Sequence, residues 1–405
     1  MTNREKIIEA KCIAALIFTL PLISAFYVAN ANPVIFDIRS YGAKPNQDIS
    51  QALSKAWKDA TASRNPSKIV IPAGKWMLSQ AALKGPNLAP LELENQGIVQ
   101  AYSNLNSMAD NQGQWITIDY VNYFTLSGGV FDGQGQQAWK MNDCNTNKNC
   151  PKLPLNLSFN FITNSIIRDV TTKDSKSWHA NCISSRNVSF TRFTVSAPGN
   201  SPNTDGIHVA RSTMVSITDS MIGTGDDCIS MGDELSQVHI RNVTCGPGHG
   251  ISIGSLGRST AEKDIRGIYV QNCTFVNTQN GVRIKTWPSA PATLRVSDLH
   301  FEDLIMKNAG NPVVFDQQYC PWHQCTLDKP SLIQISGVTI NNVRGTTYST
   351  RAVTLDCSWM KPCLDVHIGD INISYNGSRS TRGAFKTTCA NVHPNFFGKQ
   401  NPPIC

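Results

Sequence analysis

Charge is scarce in this chain. Asp, Glu, Lys and Arg supply 16% of its 405 residues, against roughly a quarter in an average globular protein. No run of Lys or Arg occurs and no nucleic-acid-binding module is recognisable, which sets nucleic acid aside as a partner. No cysteine pair has C-x2-C spacing and no paired histidines accompany the cysteines, so neither a structural zinc nor another metal or cofactor is expected. Beyond residue 31 no apolar run approaches the ~20 residues of a membrane-spanning helix. Asn-Gly hairpin signals are few, which speaks against a meander of antiparallel hairpins.

What is present fits a β-rich exported protein. Hydrophobic residues reach 40%, glycines number 28, and Ser, Thr and Asn are abundant. Residues 1–31 read as a secretory signal: Arg4, Lys6 and Lys11 form a basic start, Cys12 to Val28 is mostly apolar, and Ala29-Asn30-Ala31 is a small-x-small cleavage site. A membrane anchor is the alternative, but the run is short and Pro21 interrupts it. Removing the signal lowers the formal charge from +7 to +6, a basic balance suited to a polyanionic partner. Residues 32–405 show no linker and read as one domain, expected to be monomeric and free of the membrane.

Of 13 cysteines, 12 remain after the signal. An even number in an oxidising compartment points to disulfides. Short spacings pair Cys144–Cys150, Cys228–Cys245, Cys320–Cys325, Cys357–Cys363 and Cys389–Cys405, leaving Cys182 and Cys273 as candidate buried thiols. Asn156, Asn187, Asn242, Asn272, Asn372 and Asn376 head glycosylation sequons, some of them too deep in strands to be modified.

Val34 to Tyr41 reads as a strand before a Gly42 turn. A helix follows from Ser50 to about Ala62, capped by Asp48 or Ser50, with Leu53, Ala56, Trp57 and Ala60 on one face. Lys68 to Pro72 is a short strand. From about Trp115 a new pattern sets in: Phe124-Thr125-Leu126, Ile166-Ile167-Arg168, Val188-Ser189-Phe190, Val215-Ser216-Ile217, Val238-His239-Ile240 and Ile268-Tyr269-Val270. Leu299, Val338 and Val366 lead later members, and Asp or Asn often marks the corner that follows. The spacing from one leading residue to the next, from Ile166 to Ile268, stays in the twenties up to 30. Such a period is a solenoid signature. The expected fold is all-β, a right-handed parallel β-helix with an N-terminal capping helix.

Four clusters crowd residues 203–287: Asn203-Thr204-Asp205-Gly206-Ile207-His208, Gly223-Thr224-Gly225-Asp226-Asp227-Cys228, Gly246-Pro247-Gly248-His249-Gly250, and Arg283-Ile284-Lys285. Asp205, Asp226 and His249 are about one coil apart and should stack on one surface, since adjacent coils lie about 4.8 Å apart. Carboxylates so close cannot all ionise, and at least one should have a raised pKa. An acid and ionised carboxylates together are what glycoside hydrolysis requires. Arg283 and Lys285, two apart on a strand, would hold substrate carboxylates. Singly, each cluster has a plainer reading: a turn, a polar corner, a solvated strand face. His208 reads as structural and Asn203 as scaffolding. The coil spacing of all four is what raises them together.

These motifs, with Gly-Ile-Ser-Ile-Gly-Ser-Leu-Gly after His249 and Thr286-Trp287 after Lys285, resemble the four signature motifs of polygalacturonases. The likeness covers nearly the whole mature chain. Phrases such as Phe131-Asp132-Gly133-Gln134-Gly135 and Tyr319-Cys320-Pro321-Trp322 resemble the plant pollen exopolygalacturonase group. The resemblance implies an exo-acting, inverting hydrolase of α-1,4-galacturonan (pectate), secreted to the plant cell wall. Asp226 would be the general acid, Asp205 and Asp227 would position and deprotonate water, and His249 would support the acid. Arg283, Lys285 and, more loosely aligned, Tyr319 would bind substrate. Trp178-His179 before Ala180 departs from the family pattern and should alter packing below the cleft. Endo action, a calcium-dependent pectate lyase and a non-catalytic wall-binding protein are the rivals. The lyase needs a basic proton acceptor, and the last would need a lost carboxylate.

Overall fold

Alternating apolar residues stack into ladders. The computed structural model describes residues 32–104, 114–143, 147, 150, 152–321, 325–378, 380, 383 and 385–405. Val188 pairs with Val215, Val215 with Val238, then Ile268, Leu299, Val338 and Val366 follow in one parallel column. All seven are buried, each contributing roughly 1.5–3 kcal/mol by leaving water. One member was misplaced by the sequence pattern. Ser165, and not Ile166, pairs with Val188, and Ile166 is 44% exposed. A slip of one residue turns a strand side chain to the opposite face, so Ile167 is the inward residue there.

The coils up to Asn280–Thr286 contribute three strands each. In the later coils the first two run together as one strand, as in Arg295–Lys307, which pairs with both Ile265–Gln271 and Thr274–Val276. Arg186–Thr191, Thr194–Ser196 and Ile207–Ala210 form one three-strand set. The first two join a 21-stranded sheet on either side of a corner, and the third joins an eleven-stranded sheet running from Ala81–Lys84 to Lys386–Ala390. The expected Asp and Asn corners are real and have a backbone cause. Asp169, Asp219, Asn242, Asn272, Asp303, Asn342 and Asp370 all lie at φ between 46 and 59°, the left-handed region these side chains tolerate best. They also bond along the stack, as Asn242 Nδ2 donates to Asp219 Oδ1 at 2.6 Å and Asn342 Nδ2 to Asp303 Oδ1 at 2.7 Å. Parallel strands stacked coil upon coil make a β-helix, right-handed as such connections almost always are.

At the N-terminal end, Val34–Asp37 is a strand, but Ile38–Tyr41 coils into a 3-10 turn closed by Gly42 at φ 92°. The helix spans Ser50–Ala62 and buries Ala52, Leu53, Ala56, Trp57 and Ala60. Ile49 occupies its N-cap position, while Asp48 Oδ1 accepts from the Ser50 N–H at 2.9 Å. Trp57 packs edge-on to Phe124 at 5.8 Å and donates to the Lys84 carbonyl, so the helix seals the first coils from water. Disulfides join Cys228–Cys245, Cys320–Cys325, Cys357–Cys363 and Cys389–Cys405. Cys182 and Cys273 are buried thiols. Cys144, and with it the Cys144–Cys150 pairing, lies outside the described residues, as does the 1–31 segment. Among the described residues, no helix is long and apolar enough to cross a membrane.

Candidate active site

Register brings the acidic clusters together. Ile207, Ile229 and Ile251 pair in succession, and counting back two residues from each lands on Asp205, Asp227 and His249. Asp227, rather than Asp226, therefore shares the column of Asp205. Asp226 sits one step before it and reaches His249 by its side chain, Oδ1 to Nδ1 at 3.0 Å. The turn that allows this is tight: a Cβ on Gly225 would fall 2.0 Å from the Ser201 carbonyl oxygen, so only glycine fits. Buried Thr204 braces the same turn by accepting from the Gly225 N–H at 3.1 Å, and the Cys228–Cys245 bridge closes it from behind.

The three carboxyls have different surroundings. Burial, followed by the charges of Asp226 and Asp227, pushes Asp205 well above the usual carboxylate range. Burial also acts upward on Asp227, but Lys285 and Arg283 outweigh it. Lys285 Nζ stands 2.6 Å from Asp227 Oδ2, Arg283 Nη2 3.5 Å from Oδ1, and Ser252 donates to Oδ1 at 2.8 Å. Asp227 is thus held below the usual range. The expected raised carboxyl exists, and it is Asp205. Asp226 is the most solvent-accessible of the pair it forms with Asp227, at 22% against 3% of its side chain, and it accepts the Asp227 N–H at 2.8 Å.

These groups line a cleft of about 380 Å³ with Trp178, Asn203, His208, Ser230, Arg258, Trp287 and Tyr319. Lys285 is on its wall; Arg283 stands behind, against Asp227. Tyr319 lies 5.6 Å from the Arg283 guanidinium and 5.5 Å from Lys285 Nζ, measured to its ring centroid, and meets Trp287 edge-on at 5.2 Å. Donor atoms of Asp226, Asp227 and His249 lie within 4.8 Å of one another, a spacing compatible with a cation. Lys285 and Arg283 already neutralise Asp227, which leaves such a site poor in charge.

Several cleft residues escaped the sequence reading. Trp178 stacks on His208 at 4.3 Å, so the Trp178-His179 departure alters the cleft wall itself. His179 lies beneath it, fully buried, with Nδ1 3.1 Å from Thr172 Oγ1, and burial lowers its pKa to about 3. Asn203, read as scaffolding, faces the cleft with Nδ2 3.5 Å from Asp226 Oδ2. His208 is hydrogen-bonded to Ser230 at 2.8 Å and lowered to about 4 by burial, then by Arg211. Ser230 and Ser252 were findable, because register sets them beside His208 and Arg283.

Comparison with known proteins identifies the family. A family model described as glycosyl hydrolases family 28 matches residues 61–399. A protein named polygalacturonase from Nicotiana tabacum is 50% identical over 389 residues, covering 96% of each chain. An exopolygalacturonase from Platanus acerifolia is 46% identical, covering 91% of this chain and 97% of its own. Among solved structures, the endo-xylogalacturonan hydrolase of Aspergillus tubingensis superposes with a TM-score of 0.75 at 20% identity, covering 91% of this chain and all of that one; at that identity the likeness speaks for the fold. With a family model spanning most of its length and relatives near half identity along nearly all of it, the chain belongs to the glycosyl hydrolases of family 28.

Proposed function

We propose that this protein is an exopolygalacturonase that hydrolyses α-1,4-galacturonan with inversion, as a secreted enzyme of the plant cell wall acting in pollen. The convergence of Asp205, Asp226 and Asp227 on one cleft beside Lys285 carries the reading. In it, Asp226 donates a proton to the leaving glycosidic oxygen. It is the more exposed carboxyl of the adjacent pair, and His249 orients it through the 3.0 Å contact. Asp227 is kept ionised by Lys285 and Arg283 and takes the proton of the attacking water. Asp205, which burial and the neighbouring carboxylates hold well above the usual carboxylate range, positions that water. Lys285, Arg283 and Tyr319 form the side of the cleft that receives the galacturonate acid group. The exo assignment is supported by relatives named exopolygalacturonase in Platanus acerifolia and Oenothera organensis. Residues 32–405 act as the catalytic domain once residues 1–31 are removed.

Digestion of a galacturonate oligomer in the presence of a chelator tests the reading. Monomer is the expected product. A ladder of oligomers would replace exo by endo action, and unsaturated products would make the protein a lyase.

A further inference from the structure

The register that collects the carboxyls continues one coil further. Ala180 pairs with Ile207 as Ile207 does with Ile229. Trp178, two residues before Ala180, therefore occupies the column of Asp205 and Asp227, whose rungs lie about 4.8 Å apart. The backbone is fixed there: the Trp178 carbonyl accepts the Asn156 N–H at 3.1 Å and the Ser175 hydroxyl at 2.6 Å. The next residue, His179, donates its N–H to the Asp205 carbonyl at 2.8 Å. The indole rests on the His208 ring, 4.3 Å between centroids, and His208 is tied to Ser230 at 2.8 Å. Trp178 is thus a braced part of the cleft wall, partly exposed beside Asn203 and Asp205.

Its N–H sets it apart from the tryptophans of the scaffold. Trp57, Trp76, Trp115 and Trp139 each donate Nε1–H to a backbone carbonyl at 2.7 to 3.0 Å, as indoles packed inside proteins usually do. Trp178 Nε1–H has no hydrogen-bond partner among the described residues. An indole nitrogen donates and does not accept, so the group that completes it is an oxygen, the atom a sugar displays all round its ring. The strand Asn280–Thr286, which bears Arg283 and Lys285, is two coils beyond Asp227 in the other direction. Trp178 therefore adds a contact at the opposite end of the cleft from the cations and leaves their role as it stands.

We propose that Trp178 is a specificity-determining residue: its indole N–H hydrogen-bonds the galacturonate unit on the Asp205 side of the scissile bond, and its ring walls that unit in. The ligand class rests on the galacturonan reading above.

The full mature chain carrying Asp226→Asn, in which cleavage is slowed, is labelled with nitrogen-15 at its indoles and titrated with trigalacturonate. The indole resonance that disappears when Trp178→Phe is added identifies Trp178, and it should move downfield as the trimer saturates the site. Trp178→Phe keeps an aromatic ring against His208 and lacks the donor. It should weaken trigalacturonate binding by about three- to tenfold, the scale of one hydrogen bond. Trp178→Ala loses the ring as well and should bind more weakly still. A resonance that stays in place at saturation, or an unchanged affinity in Trp178→Phe, overturns the proposal and leaves the hydrolase reading intact. Failure of the trimer to bind at all removes the galacturonan reading and this inference with it.

Discussion

Two carboxyls one rung apart behave oppositely because of what surrounds them. Asp227 has Lys285 and Arg283 as neighbours; Asp205 has burial and two like charges. Asp205 therefore keeps a proton in the folded chain that the unfolded chain releases above about pH 4. Its contribution to stability is full below that pH and is lost as pH rises through its raised folded value. Asp227 works in the opposite sense: its contribution is present above the unfolded pKa and is lost as pH falls through the lowered one. His179 and His208, both lowered by burial, act alike in the native protein and in Asp205→Asn, so the difference isolates Asp205. From about pH 4 upward, the urea midpoint of the native protein should fall relative to that of Asp205→Asn. Equal slopes would show that Asp205 is not the group responsible. Asp226→Asn is expected to lower kcat by about 100-fold or more, the scale of a lost general acid, with trigalacturonate affinity kept. Full turnover in that variant would remove the acid assignment. The three aspartates were visible in the sequence. Which one is held protonated was not, since that depends on Lys285, 58 residues further along, reaching 2.6 Å from Asp227.

At the level of elements, the strands were legible because apolar alternation and Asx corners are local signals. Ile166 misled for the same reason. Ile166 and Ile167 look alike in sequence, and only pairing with Ser189 and Phe190 tells outward from inward. The strand-turn-strand around Asp226 depends on the Cys228–Cys245 bridge, whose sulfurs are buried and whose loop spans 17 residues. Replacing both cysteines by alanine should cost about 3 kcal/mol by loop-closure entropy, read as a lower urea midpoint. Activity at a temperature where the variant is still folded should also fall, because the turn carrying Asp226 and Asp227 loses its rear support. If stability drops and turnover per folded molecule does not, the bridge serves the scaffold alone.

On the scale of the whole molecule, burial decides which sequons are open to modification. Asn156 is 1% exposed and its Nδ2 donates to Thr172 Oγ1 at 2.9 Å. Asn187, Asn242, Asn272, Asn372 and Asn376 are exposed. Mass spectrometry of protein secreted from a plant host should find a mature N-terminus after Ala31 and glycans confined to the exposed set. A glycan on Asn156 would mean that the chain is modified before the coil around it closes. The sequence alone determined the coil period, the capping helix at Ser50–Ala62, the four described disulfides and the membership of the acidic and basic clusters. All of these follow from short-range pattern, and a solenoid repeats short-range pattern in space. Only the tertiary structure decided that Asp227 stacks with Asp205, that Trp178, Asn203 and Arg258 face the cleft, and that Lys285 and Arg283 reach Asp227. Those outcomes depend on register between coils and on where loops of unequal length carry their side chains, and neither is encoded within the span of one repeat.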